Sequence, residues 1–316
     1  MKVVLAAWPS LHDVPGLGAC APVFVADALA ATLRAVGEDS LLHVGGDDAD
    51  PRLAALALRL SRDAASLASD RADRTLVAWR RFGVRADRIA RASPDGAVAA
   101  RARGRVRARA VLAAGEGAEA ILVARGSDLP SESDALALAL DEVGAPGRKV
   151  HRVVGDVSLF EGGACGRTSG KGIGLDEAAD VLPPDVWRLW LLSKVSHDGC
   201  VEMDFRWEDL AADLKVLLAA PSDGGDAQVA DATAFVHELR PADALRALWP
   251  ARRDPAGRAL LDALLPQVSS RVAAGDPLLR TTDLFHAQLQ IRYREAAETR
   301  AAEVPFEEAV ALASIE

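Results

Sequence analysis

The sequence predicts an α/β protein, with a doubly wound parallel sheet over residues 1–218 followed by a helical region over 219–316. Three observations predict it. Short apolar runs at Val3–Ala7, Leu41–Val44 and Ile121–Ala124 alternate with helix-patterned stretches, and parallel strands buried on both faces read as such runs. The first two runs flank a helical stretch from Pro22 to Val36, which makes a βαβ unit. Beyond the Pro/Gly/Asp-rich segment Ala219–Asp226 the pattern is almost all helical, so strands and helices segregate along the chain.

Each element has a local reason. Pro9 stops the first strand, and Pro15, Gly16 and Gly18 make a turn. Pro22 suits a helix start, where its missing N–H costs nothing, and Gly37 ends that helix. Gly45-Gly46 stops the second strand. Arg52–Arg81 and Asp95–Ala114 read as helices, and Leu136–Val143 begins another. Val150–Phe160 is a strand candidate leading into the glycine-rich stretch Gly162–Gly174. Asp176–Leu192 is helical, with Pro183-Pro184 separating two short helices. Four more helices are expected at Ala227–Leu239, Pro241–Trp249, Ala256–Ala274 and Thr282–Ala302, and no internal repeat is visible.

Composition narrows the function. With 316 residues the chain can bury a sizeable core. A net charge of −9 and a pI near 5.3 argue against broad nucleic-acid binding, though a local basic face remains compatible with them. Cys20, Cys165 and Cys200 lie far apart without a C-x-x-C pair, so no zinc site is expected. Sparse cysteine and a Pro9 that interrupts any signal-peptide core point to the cytoplasm. No apolar run reaches the roughly 20 residues of a membrane span, so no membrane partner is expected.

Two segments carry a resemblance. The stretch His12-Asp13-Val14-Pro15-Gly16-Leu17-Gly18-Ala19 stands where class I aminoacyl-tRNA synthetases carry their HIGH-type motif. GRTSGKGIGL, Gly166–Leu175, stands at a KMSKS-type loop. Between and after them, FVADALAATLRAVGEDSLLHVGGDD, RADRIARAS, ILVARGSDLP, DVWRLWLL and DFRWEDL follow in family order. The chain resembles a methionyl-tRNA synthetase catalytic core over residues 1–218, with one large deletion. The resemblance implies a Rossmann-like sheet that binds ATP, with Mg2+ accompanying the nucleotide, and activates an amino acid. Both ATP motifs are altered at their reactive positions.

Roles follow residue by residue from that resemblance. Gly16 and Gly18 would let phosphate approach a helix amino end. The family's first motif His is replaced by Gly16 and its second polar residue by Ala19, which leaves His12 as a substitute cation or as an ordinary loop histidine. Asp47 would accept the substrate amine or, alternatively, cap the helix near Pro51, a role better suited to Asp48 or Asp50. Gly126 and Asp128 match positions that hold ATP, with Asp128 on the ribose or stabilising a turn before Pro130. Arg167 and Lys171 would neutralise the leaving pyrophosphate, or belong to a solvated glycine loop. Trp8, Ser10 and Ser133 fall at the amino-acid pocket but differ from the family, so methionine is not a safe substrate guess. The alternating Arg101, Arg103, Arg105, Arg107 and Arg109 read mainly as a solvated helix face, with a phosphate or carrier-docking patch as the other reading. His43, His151 and His197 show no ligand spacing, and Trp187, Trp190 and Trp207 read as core.

The family's zinc-bearing insert, expected between Gly115 and Ala120, is absent, and the last 98 residues do not resemble an anticodon-binding bundle. The leading expectation is a tRNA-independent ligase. It forms an aminoacyl adenylate and passes the acyl group to a small-molecule amine or hydroxyl, or to a carrier. Synthetase-like domains of this truncated kind also serve natural-product pathways that build an N–N bond with a cupin-type partner protein. A non-catalytic amino-acid or nucleotide sensor, or partner subunit, is the second expectation. A minimal tRNA ligase is the third, and the acidic charge disfavours it.

Overall fold

The computed structural model describes residues 1–12, 16–48, 50–91, 99–155, 157–160, 173–196, 201–219, 223–265, 286–303 and 306–313. Its centre is a five-stranded parallel sheet of β1 (Lys2–Ala6), β2 (Ser40–Gly46), β3 (Arg88–Arg91), β4 (Glu119–Ala124) and β5 (Val150–Val154), ordered β3-β2-β1-β4-β5. Strand order reverses between β1 and β4, and open α/β sheets bind ligands at the carboxyl ends beside such a reversal. Alternation sorts the strands onto two cores. Val4, Ala6, Leu42, Val44, Ile121 and Val123 face one layer, and Val3, Leu5, Ala120, Leu122 and Ala124 face the other.

On the first face lies α1 (Ala21–Ala35), with Pro22 in its first turn and 13 of its 15 residues buried. A helix apolar on all sides belongs inside the core. The stretch Gly18–Ala35 is long and apolar enough to cross a membrane, and it is mostly buried inside the protein. The helix expected over Arg52–Arg81 is two helices, α2 (Pro51–Arg59) and α3 (Ala64–Arg81). Ser61 adopts φ 51° at the break, and the Asp63 carboxylate accepts from Ser66 N–H at 2.7 Å to start α3.

The other face carries α4 (Ala99–Ala113) and α5 (Leu129–Glu142). Helix α5 begins seven residues before the expected Leu136, because Pro130 sits in its first turn, where proline is tolerated. A Cβ on Gly104 would stand 2.6 Å from the Ala135 carbonyl oxygen, so glycine lets α4 lie directly against α5. β3 was not foreseen from the sequence. The expected Val150–Phe160 strand splits: its first half is β5, and β6 (Val157–Phe160) pairs with β7 (Val201–Asp204) in a separate parallel ribbon.

Leu182 and Pro183 are extended and separate α6 (Leu175–Val181) from α7 (Pro184–Lys194), as the Pro-Pro pair predicts. Trp187, Trp190, Phe205 and Trp207 meet edge-on at centroid distances of 5.0–6.1 Å, beside α8 (Trp207–Ala219). Next come α9 (Asp226–His237), α10 (Pro241–Leu248) and α11 (Pro255–Leu264). Val236, Leu245, Leu248, Leu261 and Leu264 join the α1 core, so residues on both sides of position 219 fill one apolar interior. Residues 266–274 of the expected Ala256–Ala274 helix lie outside the described set. Helix α12 (His286–Glu303) carries Tyr293 against Trp207. Helix α13 (Phe306–Ala313), not foreseen, is tied to α3 by a buried Arg71–Glu308 ion pair.

Candidate active site

The segments leaving β1, β2 and β4 converge at the carboxyl edge of the sheet. After β1 the chain continues alongside the end of β2. Asp47 N–H donates to the Pro9 carbonyl at 2.9 Å, Leu11 N–H donates to the Asp47 carbonyl at 3.1 Å, and Ser10 and Asp47 form a parallel bridge. This pairing is why Trp8, Ser10, His12 and Asp47 gather in one place. The Ser10 hydroxyl lies 2.7 Å from His12 Nδ1. Trp8 packs against the glycine end of β2, where a Cβ on Gly45 would stand 2.3 Å from its ring.

Asp47 is buried, and its carboxylate is bonded to the Arg103 guanidinium. Arg103 also donates to Glu132 through Nε at 3.0 Å and Nη2 at 2.6 Å. Arg107, fully buried, is bonded to the other Glu132 oxygen, donates to the Ala6 carbonyl at 3.1 Å and stacks 5.2 Å from the Trp8 ring centre. Burial alone would push the Glu132 carboxyl up, but Arg107 and then Arg103 outweigh it and hold it below its usual range. His43 lies on the same side, 5.9 Å from Trp8, and burial, then Arg107 and Arg88, push its pKa down to about 4. It is therefore neutral near pH 7.

This network corrects the solvated-face reading of the alternating arginines. Arg103 and Arg107, four residues apart on one face of α4, point into the site, whereas Arg105 pairs with Glu142 at 2.9 Å and Arg109 is exposed. The four-residue spacing was visible in the sequence. The partner Glu132 was not, because it comes from α5, which reaches that face only in the folded packing of α4 on α5, close at Gly104. Asp50, not Asp47, caps α2, accepting from Arg52 N–H at 2.8 Å. Burial raises the Asp50 carboxyl, but hydrogen bonds from Arg52 and Ser10 prevail and bring its pKa to about 2.

The nucleotide candidates sit at the neighbouring strand ends. Gly16 pairs with Gly174 across an antiparallel bridge, and Leu17 N–H donates to the Ile173 carbonyl at 2.7 Å. A Cβ on Gly16 would approach that carbonyl oxygen to 3.3 Å. Gly18 opens a 3-10 turn that runs into α1, so the helix amino end lies at this edge. Gly126 lies in the turn after β4, and Asp128 is exposed at the start of α5, accepting from the Ser127 hydroxyl at 3.3 Å. Ser133 is buried and accepts from Arg152 Nε at 2.9 Å. Arg167, Lys171 and His197 lie outside the described residues. Among the described residues, no cluster of three or more His, Cys, Asp or Glu could hold a metal ion.

This architecture matches solved synthetases along nearly its whole length. Methionyl-tRNA synthetase of Mycobacterium tuberculosis, in complex with methionyl-adenylate, superposes with a TM-score of 0.56 at 12% identity, covering 94% of this chain and 87% of that one. A Campylobacter jejuni protein described as an arginyl-tRNA synthetase gives 0.51 at 13% identity, covering 94% and 92%. The fold is that of a class I synthetase core. Sequence relatives agree over a shorter stretch: the methionine–tRNA ligases of Dinoroseobacter shibae and Ruegeria pomeroyi are 35% identical over 60 residues, 19% of this chain. The matched stretch spans about a tenth of the length of those ligases. No family model matches the sequence.

Proposed function

We propose that the chain activates a carboxylic acid with ATP, forming an acyl adenylate and releasing pyrophosphate, without tRNA. The observation that carries this reading is the Gly16–Gly174 bridge. It sets the turn before α1 beside the amino end of α6, which follows the Arg167/Lys171 segment in sequence, in a fold shared with a protein solved bound to methionyl-adenylate.

In the reaction, a carboxylate oxygen attacks the α-phosphorus, the bond from that phosphorus to the bridging oxygen breaks, and pyrophosphate leaves with the electron pair. The chain's contribution is positional and electrostatic. Gly16 and Gly18 admit the phosphates to the amino end of α1, Gly126 admits the nucleotide and Asp128 accepts from its ribose. Lys171 and Arg167 meet the departing charge, and His12, held by Ser10, adds a cation when protonated. Mg2+ carried with ATP would supply further neutralisation. The acyl group then passes to a small-molecule amine or hydroxyl, or to a carrier, in a route that includes a cupin-type partner when an N–N bond is built.

The test is acid-dependent ATP–pyrophosphate exchange without tRNA, in wild type and Lys171→Ala. Exchange that Lys171→Ala lowers by at least about tenfold upholds the reading. ATP binding with no exchange for any acid favours a sensor, a reading supported by the Asp47 carboxylate already being engaged by Arg103.

A further inference from the structure

We infer that the acid taken by this site carries an uncharged group where a free amino acid carries its ammonium: it is an Nα-acylated amino acid or an α-hydroxy acid. This rests on the carboxylate-activation reading above. The carboxylate at the end of β2 that would meet an ammonium, Asp47, is bonded to Arg103. Arg103 is not a loose surface side chain that a substrate displaces cheaply. Two of its nitrogens hold Glu132 at 3.0 and 2.6 Å, its side chain is only 16% exposed, and Arg107 is fixed behind it with no exposure at all.

Charge counting points the same way. Among the described residues, Asp47 and Glu132 bring two negative charges to these ion pairs and Arg103 and Arg107 two positive ones, so the four groups sum to zero. His43, facing them from β2, is neutral as well. An incoming ammonium adds a positive charge beside two guanidiniums in a largely buried place, where repulsion is poorly screened. For the ammonium to take Asp47, Arg103 must give up a charge-assisted bond while it stays held, half-buried, by Glu132. An amide or hydroxyl adds no charge, and its oxygen accepts from guanidinium N–H.

Glycine at position 104 fixes this arrangement, because the close α4–α5 contact it permits sets Arg103 and Arg107 on either side of Glu132. Arg103 is therefore a specificity residue that acts by occupying the amine seat.

The experiment titrates the full chain by calorimetry with the proteinogenic amino acids, their N-acetyl forms and their α-hydroxy counterparts, and repeats pyrophosphate exchange on each. In the wild type the best ligand should come from the N-acetyl or hydroxy series and bind at least about tenfold tighter than its matched free amino acid. Arg103→Gln should shift the preference toward the free amino acid, and Arg103→Lys should retain the wild-type order. Circular dichroism checks that each variant folds, and the wild-type comparison alone is decisive. Equal or tighter binding of the free amino acid to the wild type overturns the inference, as does binding of none of the three series. Selective binding without exchange upholds the substrate class and removes the activation reading. Exchange with a free amino acid but not its neutral counterparts does the reverse.

Discussion

Asp27 is the one charged side chain buried inside α1, and its removal should be costly. It is 1% exposed and takes three bonds: from Arg85 N–H at 2.7 Å, Arg85 Nη2 at 3.0 Å and Arg188 Nη2 at 2.6 Å. Arg188, also 1% exposed, donates further to the Phe82 and Leu264 carbonyls, at 3.1 and 3.3 Å, so one guanidinium ties α7 to α1, α3 and α11. Asp27→Asn leaves that guanidinium buried without its counter-charge, a loss of about 3–5 kcal/mol. For a chain of 316 residues the unfolding entropy is roughly 0.7 kcal/mol per kelvin. The expected fall in Tm is therefore about 5–8 K. Paired urea and thermal denaturation curves measure both quantities. Burial raises the Asp27 carboxyl, but Arg188 and then Arg85 win and hold it below its usual value. A carboxyl depressed in the folded state stabilises above its unfolded pKa and loses that contribution as pH falls through the folded value. The gap between wild type and Asp27→Asn should thus narrow below about pH 4. A loss under about 1 kcal/mol at neutral pH, or a gap that does not narrow in acid, refutes the argument.

Three further outcomes are expected. His43, 3% exposed and depressed to about pKa 4, is neutral when folded and protonates more readily when unfolded, so stability should drop by up to about 3 kcal/mol between pH 6.5 and 4, and His43→Leu should flatten that segment in pH-dependent urea melts. Gly104→Ala should cost about 1–3 kcal/mol by pressing a methyl onto the Ala135 carbonyl, and it should weaken ligand binding in calorimetry by displacing Arg103 from Asp47, whereas unaltered affinity would separate helix packing from the site. Arg71→Leu strands the Glu308 carboxylate beneath α13. Limited proteolysis should then clip the carboxyl-terminal helix well before the sheet, and simultaneous digestion of both would count against a local role for the pair.

What the sequence disclosed depended on how much each element relies on neighbours. β1, β2 and β4 were legible because a parallel strand covered on both faces must be apolar throughout. The start of α1 and the split between α6 and α7 were legible because proline acts locally. β3, read as Arg-Ile-Ala-Arg, was not, since an edge strand tolerates charge and its four residues carry no clear period. The site was half legible. Asp47, Trp8 and Ser10 fall at strand ends, where a doubly wound sheet places its ligands, and the structure does gather them with His12. The arginines of α4 were read outward because a helix of alternating Arg and Ala has no apolar stripe to orient it. Their inward direction is fixed by a glycine contact with a helix some 30 residues later.

The shared core also bears on synthesis. Helix α1 is complete at residue 35, yet part of its cover arrives with α11, which ends at residue 264, 229 residues later. At ribosomal speeds of roughly 5–20 residues per second, that interval is about 10–50 seconds. Over that interval the apolar stretch Gly18–Ala35 lacks the part of its cover that α11 supplies. Stalled nascent chains ending near residue 219 should therefore cross-link to chaperones through Gly18–Ala35, and chains extended past α11 should lose that cross-link. The same burial that anchors the sheet leaves part of α1 without its final cover until the late helices emerge.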